Sequence, residues 1–246
     1  MDRLIYTAMT GAKQTLEMQA NVSNNLANVA TNGFRAELNT FRSVPIVSDG
    51  LPTRAFVVNA TVGSDFTGGP IQQTGRALDV AIQGDGWLAV ETSNGSEAYT
   101  RSGSLKIDAT GVLQTTAGLN LVGETGPITI PPDVNVAIAA DGTVSSIPNT
   151  GVPNAVNILG RIKMVNPDPA TLKRGDDGLF RVDGPDPADS DPNVTLASGA
   201  LEGSNVNTVE AMVNMINLSR QFEMNMKALS TAESDAAKAT QLLSLS

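Results

Sequence analysis

Neither cysteine nor histidine occurs in the 246 residues. Without cysteine there are no disulfides, no thiolate metal sites and no Cys nucleophile. Without histidine the commonest general base, the commonest metal ligand and the Ser-His-Asp triad are lost together. Aromatics make up only 4% of the chain, with one tryptophan, so a stacking platform for sugars or bases has little to be built from. No apolar run approaches the length of a membrane span. A net charge of -9 argues against nucleic acid, whose binding needs a basic face to displace counterions. The opening MDRLIYTAMTGAKQ has neither a continuous apolar stretch nor a small-residue cleavage site, so no cleavable secretory signal is expected.

Glycine and proline are also missing from residues 205–246, and of the 23 glycines only Gly11 lies outside 31–204, which also holds all 13 prolines. Seven of the eight methionines lie in the two ends. The acidic residues concentrate in the centre, because 1–30 sum to zero and 205–246 to -1, leaving -8 of the -9 between them. The expected organisation is an N-terminal helical segment (1–33), an extended connector (34–75), a β-rich segment (76–200) and a C-terminal helical segment (201–246). At this length the chain can bury a real core.

The last segment reads as one helix, about 60 Å long if continuous, with Ser204 or Asn205 as its N-cap. Met212, Met215, Ser219, Phe222, Met226, Leu229, Glu233, Ala236, Thr240 and Leu243 recur in alternating steps of three and four, a heptad seam interrupted by Ser219, Glu233 and Thr240. Residues 3–30 carry a comparable row at Ile5, Met9, Ala12, Leu16, Gln19, Ser23, Leu26 and Ala30. With no third helix between the two, they are expected to pair. Asn32-Gly33 is a helix stop, although 35–42 could continue as helix before Pro45. The expected fold class is therefore α+β: long N- and C-terminal helices pairing as a coiled-coil inner domain around a central antiparallel all-β domain. Short alternating strands such as Leu78-Val80-Ile82 and Val134-Val136-Ile138, separated by Gly, Asp or Pro, suggest a barrel or sandwich.

Four constellations are candidate sites. Gly84-Asp85-Gly86 precedes a strand and so reads as a turn, not a dinucleotide fingerprint. Asp183, Asp186, Asp189 and Asp191 could supply oxygen ligands to Ca²⁺, but their spacing does not match an EF-hand and prolines stiffen the loop, which favours a solvated acidic loop. Asp176-Asp177-Gly178 reads as a turn. Asp79 and Asp85 would serve a hydrolase only across a cleft, and Trp87 is expected in the β core. No catalytic, cofactor or metal site is expected.

Ser23-Asn24-Asn25-Leu26-Ala27-Asn28-Val29-Ala30-Thr31-Asn32-Gly33-Phe34-Arg35 resembles the N-terminal signature of bacterial flagellar rod and hook proteins. Leu201-Glu202-Gly203-Ser204-Asn205-Val206-Asn207 resembles their C-terminal signature, together with Met212, Met215-Ile216, Arg220, Phe222-Glu223, Asn225, Lys227 and Leu229. IQGDGWLAV and YTRSGSLKID resemble the family's β-domain. The start Met1-Asp2-Arg3-Leu4-Ile5-Tyr6 and the single aromatic Trp87 after the GDG turn look most like its proximal-rod members, with a distal-rod paralogue as the alternative. The resemblance implies a non-catalytic subunit of the periplasmic drive shaft. It would be exported without cleavage by the flagellar type III apparatus and would assemble with copies of itself and other rod proteins. The implied assembly residues are Ile5, Met9, Leu16, Asn24, Asn25, Leu26, Asn28, Met212, Met215, Phe222, Met226, Leu229 and Leu243. A secreted β-rich binding module with a coiled-coil stalk and a His-free hydrolase are the competing classes.

Overall fold

The computed structural model describes residues 2–45, 55–148, 156–184 and 186–244. The chain divides into two units, one gathering Met1–Val29, Ala36–Asp65 and Val206–Ser246, the other Ala30–Arg35 and Phe66–Asn205.

The first unit holds α1 (Asp2–Ala27), the antiparallel ribbon of β1 (Glu37–Pro45) and β2 (Ala55–Ser64), and α2 (Thr208–Ser244). The expected coiled-coil inner domain is corrected by this arrangement. The two helices are unequal, at 26 and 37 residues, and they share their unit with a β-ribbon. Met9, Leu16, Met212 and Met226, four of the side chains expected to interlock, are 46–53% exposed. An interlocked apolar seam would remove such side chains from water. Most of the remaining chain is β, distributed over several sheets. The helical continuation suggested for 35–42 is likewise replaced by β1, whose first residue, Glu37, is held at both its N–H and its C=O by the Asn25 side chain of α1. The N-cap of α2 is Asn207, not Ser204 or Asn205: its Oδ1 accepts from the N–H groups of Val209 (3.1 Å) and Glu210 (3.3 Å).

The second unit contains sixteen short strands among its described residues. They are β3 (Ile71–Gln73), β4 (Val80–Gln83), β5 (Trp87–Glu91), β6 (Glu97–Thr100), β7 (Leu105–Ile107), β8 (Leu113–Thr115), β9 (Asn120–Gly123) and β10 (Gly126–Pro127), followed by β11 (Val134–Ile138), β12 (Thr143–Pro148), β13 (Asn157–Arg161), β14 (Met164–Val165), β15 (Leu172–Arg174), β16 (Phe180–Val182), β17 (Thr195–Ser198) and β18 (Ala200–Glu202). The main sheet runs β15-β16-β6-β5-β9-β8-β7, with β10 beside β9 and β14 beside β5. A second sheet is β11-β12-β13, and two ribbons pair β4 with β17 and β3 with β18, all antiparallel.

The central strand β5 explains the continuous run Trp87-Leu88-Ala89-Val90. Successive side chains point to opposite faces. Leu88 and Val90 enter one core cluster with Val80, Ile82, Leu105, Leu113 and Leu121. Trp87 and Ala89 enter another with Tyr99, Val165, Leu172 and Phe180. A strand covered on both faces has no polar side to alternate with. The scarce aromatics gather here: the Trp87 and Phe180 rings lie 4.6 Å apart, with Phe66 edge-on to Trp87 at 6.0 Å.

Tyr99 is 1% exposed and its Oη accepts from the Ala188 N–H at 2.7 Å. Burial, reinforced by the nearby Glu97 charge, pushes its phenol from 10.0 up to about 12. The folded chain thus holds this proton more tightly than the unfolded chain does. The stabilisation is complete below about pH 10 and is lost as pH rises toward 12, by about 2–3 kcal/mol in all. Alkaline unfolding followed by circular dichroism should therefore begin in this window, and Tyr99→Phe should flatten the loss.

Candidate assembly surface

The described residues present no catalytic constellation. Asp79 is buried and occupied by the Thr74 hydroxyl (2.8 Å) and Arg76 (3.1 Å), while Asp85 is exposed. In the acidic loop Asp183 pairs with Lys173 at 2.7 Å and Asp191 accepts from the Asn193 N–H. Among the described residues no group of three or more carboxylates is placed to hold a metal. Asp177 accepts from the Leu179 N–H at 3.1 Å, and its bonds to Arg181 hold its carboxyl below the usual range, as befits a turn. No described helix is long and apolar enough to cross a membrane.

The helices carry the more informative surface. They run antiparallel: Thr15 meets Asn225, whereas Leu16 and Ser23 line a cleft with Met215. Their closest contact is made by small and polar side chains. Ala12 and Thr15 are buried on α1, and a Cβ on Gly11 would lie 3.6 Å from the Asn225 amide. Asn225 Nδ2 donates to Thr15 Oγ1 (3.3 Å), which donates to the Gly11 carbonyl (2.8 Å). Along α2 a row of buried or half-buried side chains runs Ala211, Met215, Leu218, Phe222, Asn225, Leu229 and Ala232 in steps of four and three, with Thr208 and Ser219 half-buried beside it. This row keeps Met215, Phe222 and Leu229 from the expected seam and takes Ala211 and Asn225 in place of the exposed Met212 and Met226, while Ser219, also from the seam, stays half-buried next to Leu218. Glu233 is exposed and so lies off the row.

At 100° per residue, the side of α2 opposite this row carries Val209, Val213, Ile216, Arg220 and Met224. The four apolar members are 50–71% exposed. On α1 Tyr6, Met9 and Leu16 are also exposed. A cleft of about 280 Å³ lies between the helices, lined by Leu16, Gln19, Ala20, Ser23 and Met215. Apolar surface rimmed by polar groups on this scale marks an interaction site.

Of the assembly residues named from sequence, Met9, Leu16, Met212 and Met226 are exposed, and Ile5, Leu26, Met215, Phe222 and Leu229 are half-buried. Leu243 lies in the last turn of α2. Asn24 is exposed. Asn25 and Asn28 are engaged within the chain: Asn28 Nδ2 donates to the Asn24 carbonyl at 3.0 Å, and Asn25 grips the Glu37 backbone through two bonds of 2.8 and 3.0 Å. Asn21 adds a bond to the Glu37 carboxylate at 3.1 Å. A short amide supplies donor and acceptor on two separate atoms, and the four-residue spacing of Asn21 and Asn25 on one helix face was the signal for this clamp. Asn25→Ala should remove both bonds to the Glu37 backbone and cost about 1–3 kcal/mol, read as a lower urea midpoint for the helical unit.

Among the described residues there is thus a helical unit assembled from both chain ends, with exposed apolar side chains along α2, and no catalytic constellation. The family description "Flagellar hook protein FlgE/F/G D1 domain" matches residues 81–146, and "Flagellar basal body rod FlgEFG protein C-terminal" matches 197–242. The chain belongs to the flagellar basal-body rod protein family. It is 49% identical to the flagellar basal-body rod protein FlgF of Escherichia coli (strain K12), over all of both chains, and 46% identical to FlgF of Salmonella typhimurium, again over all of both. The rod protein FlgG of Bacillus subtilis (strain 168) is 32% identical over 95% of this chain and 96% of its own length.

Proposed function

We propose that this chain is a structural subunit of the proximal flagellar rod, part of the drive shaft between motor and hook, and that it catalyses no reaction. It polymerises axially through its terminal helices, against copies of itself and other rod proteins. It reaches the periplasmic part of the basal body through the flagellar type III export apparatus, without signal cleavage. The observation that carries this reading is end-to-end identity of 49% to a rod protein. The exposed apolar side of α2 supports the helical route of assembly, because Val209, Val213, Ile216 and Met224 are left 50–71% exposed among the described residues. Open-ended stacking requires such heterologous faces in place of a closed two-fold, and methionine suits contact with non-identical neighbours.

The test is complementation of a strain deleted for this chain. The full-length chain should restore rod completion and swimming, and versions lacking residues 2–27 or 208–244 should restore neither. A truncated version that still builds rods and swims would refute assembly through the terminal helices. Purified rods containing the chain should show its amino terminus uncleaved by mass spectrometry.

A further inference from the structure

The second unit buries three charged side chains together, from three distant parts of the chain. Glu202 Oε1 accepts from Arg35 Nη2 at 2.7 Å and from the Gly69 N–H at 2.9 Å, while Glu202 Oε2 accepts from Arg101 Nη1 at 3.1 Å. The side chains of Arg35, Arg101 and Glu202 are 0%, 5% and 3% exposed. Both guanidinium groups lie over the Trp87 ring, at 6.0 and 5.4 Å, and Arg101 also donates to the Gly84 carbonyl at 2.8 Å.

The backbone around the triad closes at the same place. The Gly33 N–H donates to the Glu202 carbonyl (2.8 Å), the Gly203 N–H to the Pro70 carbonyl (2.9 Å), and the Asn205 N–H to the Phe34 carbonyl (3.4 Å). Gly33 sits at φ +70, and a Cβ there would lie 2.3 Å from the Arg101 carbonyl carbon, so the 30–35 segment presses directly on the Arg101 backbone. The two sequence signatures, Asn32-Gly33-Phe34-Arg35 and Leu201-Glu202-Gly203-Ser204-Asn205, therefore meet here.

We infer that Arg35, Arg101 and Glu202 form a charge clasp, and that the segments 30–35, 67–73 and 200–205 open and close around it as one cooperative element while the β core stays folded. Two observations carry this. First, apolar burial does not hold the 67–73 strap. All three side chains of β3 are exposed, and β3 pairs only with the three-residue β18 in a ribbon separate from the main sheet. What fixes the strap is main-chain bonding together with the Gly69–Glu202 contact and the Asn205 Nδ2 bond to the Thr67 carbonyl at 3.1 Å. Second, the triad has no comfortable half-open state. Two cations share one anion, and Arg35 Nε, Arg35 Nη1 and Arg101 Nε already lack partners. Glu202 is shared by all three segments, so withdrawing it frees 30–35 and 67–73 together and leaves both buried guanidinium groups without their anion. The element is thus either closed or open, as sub-global units are.

The experiment is native-state hydrogen exchange on the full-length chain in increasing urea, resolved by mass spectrometry. The amides of Gly33, Gly69 and Gly203 should exchange at one common rate, at least tenfold faster than those of Ala89 and Tyr99 in β5 and β6. In Glu202→Gln the same three should accelerate by at least a further tenfold, with the β5 and β6 amides unchanged within twofold. If the three amides differ widely from one another in the unaltered chain, or exchange only together with β5 and β6, the clasp is not a separate element. Equal acceleration of all amides in Glu202→Gln would overturn it too. Should that variant fail to fold, the unaltered chain alone decides.

Discussion

Replacing Val213 and Ile216 together with glutamate should abolish swimming while leaving the isolated chain folded. These residues are three apart on α2 and so share a face. They are 50% and 55% exposed and lie opposite the row that contains Met215 and Asn225. In the single chain the change moves two half-exposed side chains to a better helix former, so unfolding should shift by no more than about 0.5 kcal/mol. In an assembled shaft, each carboxylate would be buried against an apolar neighbour without a partner. Leaving a charge desolvated and unpaired at an interface costs about 2–5 kcal/mol, repeated at every subunit. Assembly should therefore fail by several orders of magnitude in association constant, read by swarm diameter and by sedimentation of basal bodies. Unimpaired swimming would mean that this face of α2 is not an assembly surface. The substitution Asp235→Asn, at an exposed position on the same helix, should leave motility unchanged.

The same helix shows how far the sequence could be read. A 42-residue stretch without glycine or proline leaves little but helix, so the existence of α2 was legible. Its contact face was not, because α2 carries apolar residues on two opposite sides. Hydrophobic periodicity selected the larger side chains, Met212 and Met226, whereas the helix contact is made where Gly11, Thr15 and Asn225 let two backbones approach. The coiled-coil expectation failed for that reason, and also because β1 and β2 had no alternating pattern to betray the ribbon beside the helices. Local signals served the β unit better. Leu78, Val80 and Ile82 pointed to β4, and Trp87 was read correctly as core. The clasp could not be read at all, since Glu202 lies 167 residues from Arg35 and 101 from Arg101. An isolated Glu in a Gly-rich turn looks solvated until its partners arrive. The signatures marked those residues through family resemblance alone, and the structure adds the physical contact between them.

Alanine at Gly103 should damage the β unit more than any single exposed substitution. A Cβ at this position would stand 1.7 Å from the Val80 carbonyl oxygen and 3.0 Å from Val80 Cγ2. The first of these is backbone and cannot rotate away. Nor can the strand simply move aside, because the Val80 N–H donates to the Gly103 carbonyl at 3.0 Å and Val80 itself is fully buried among Ile82, Leu88 and Leu105. Relief requires breaking this close approach of β4 and reopening the packed cluster beneath it. Overpacking a core costs about 1–3 kcal/mol when side chains can adjust. Here the obstruction is main chain, so the loss should exceed about 3 kcal/mol, enough to lower the melting temperature by about 6–12 °C in a unit of this size. Gly184→Ala supplies the control: a Cβ there meets nothing within 4 Å, and its melting temperature should match that of the unaltered chain within about 1 °C, given the near-neutral effect of open surface changes. Equal melting temperatures for the two variants would show that Gly103 and Val80 do not approach as closely as the β4 contact requires.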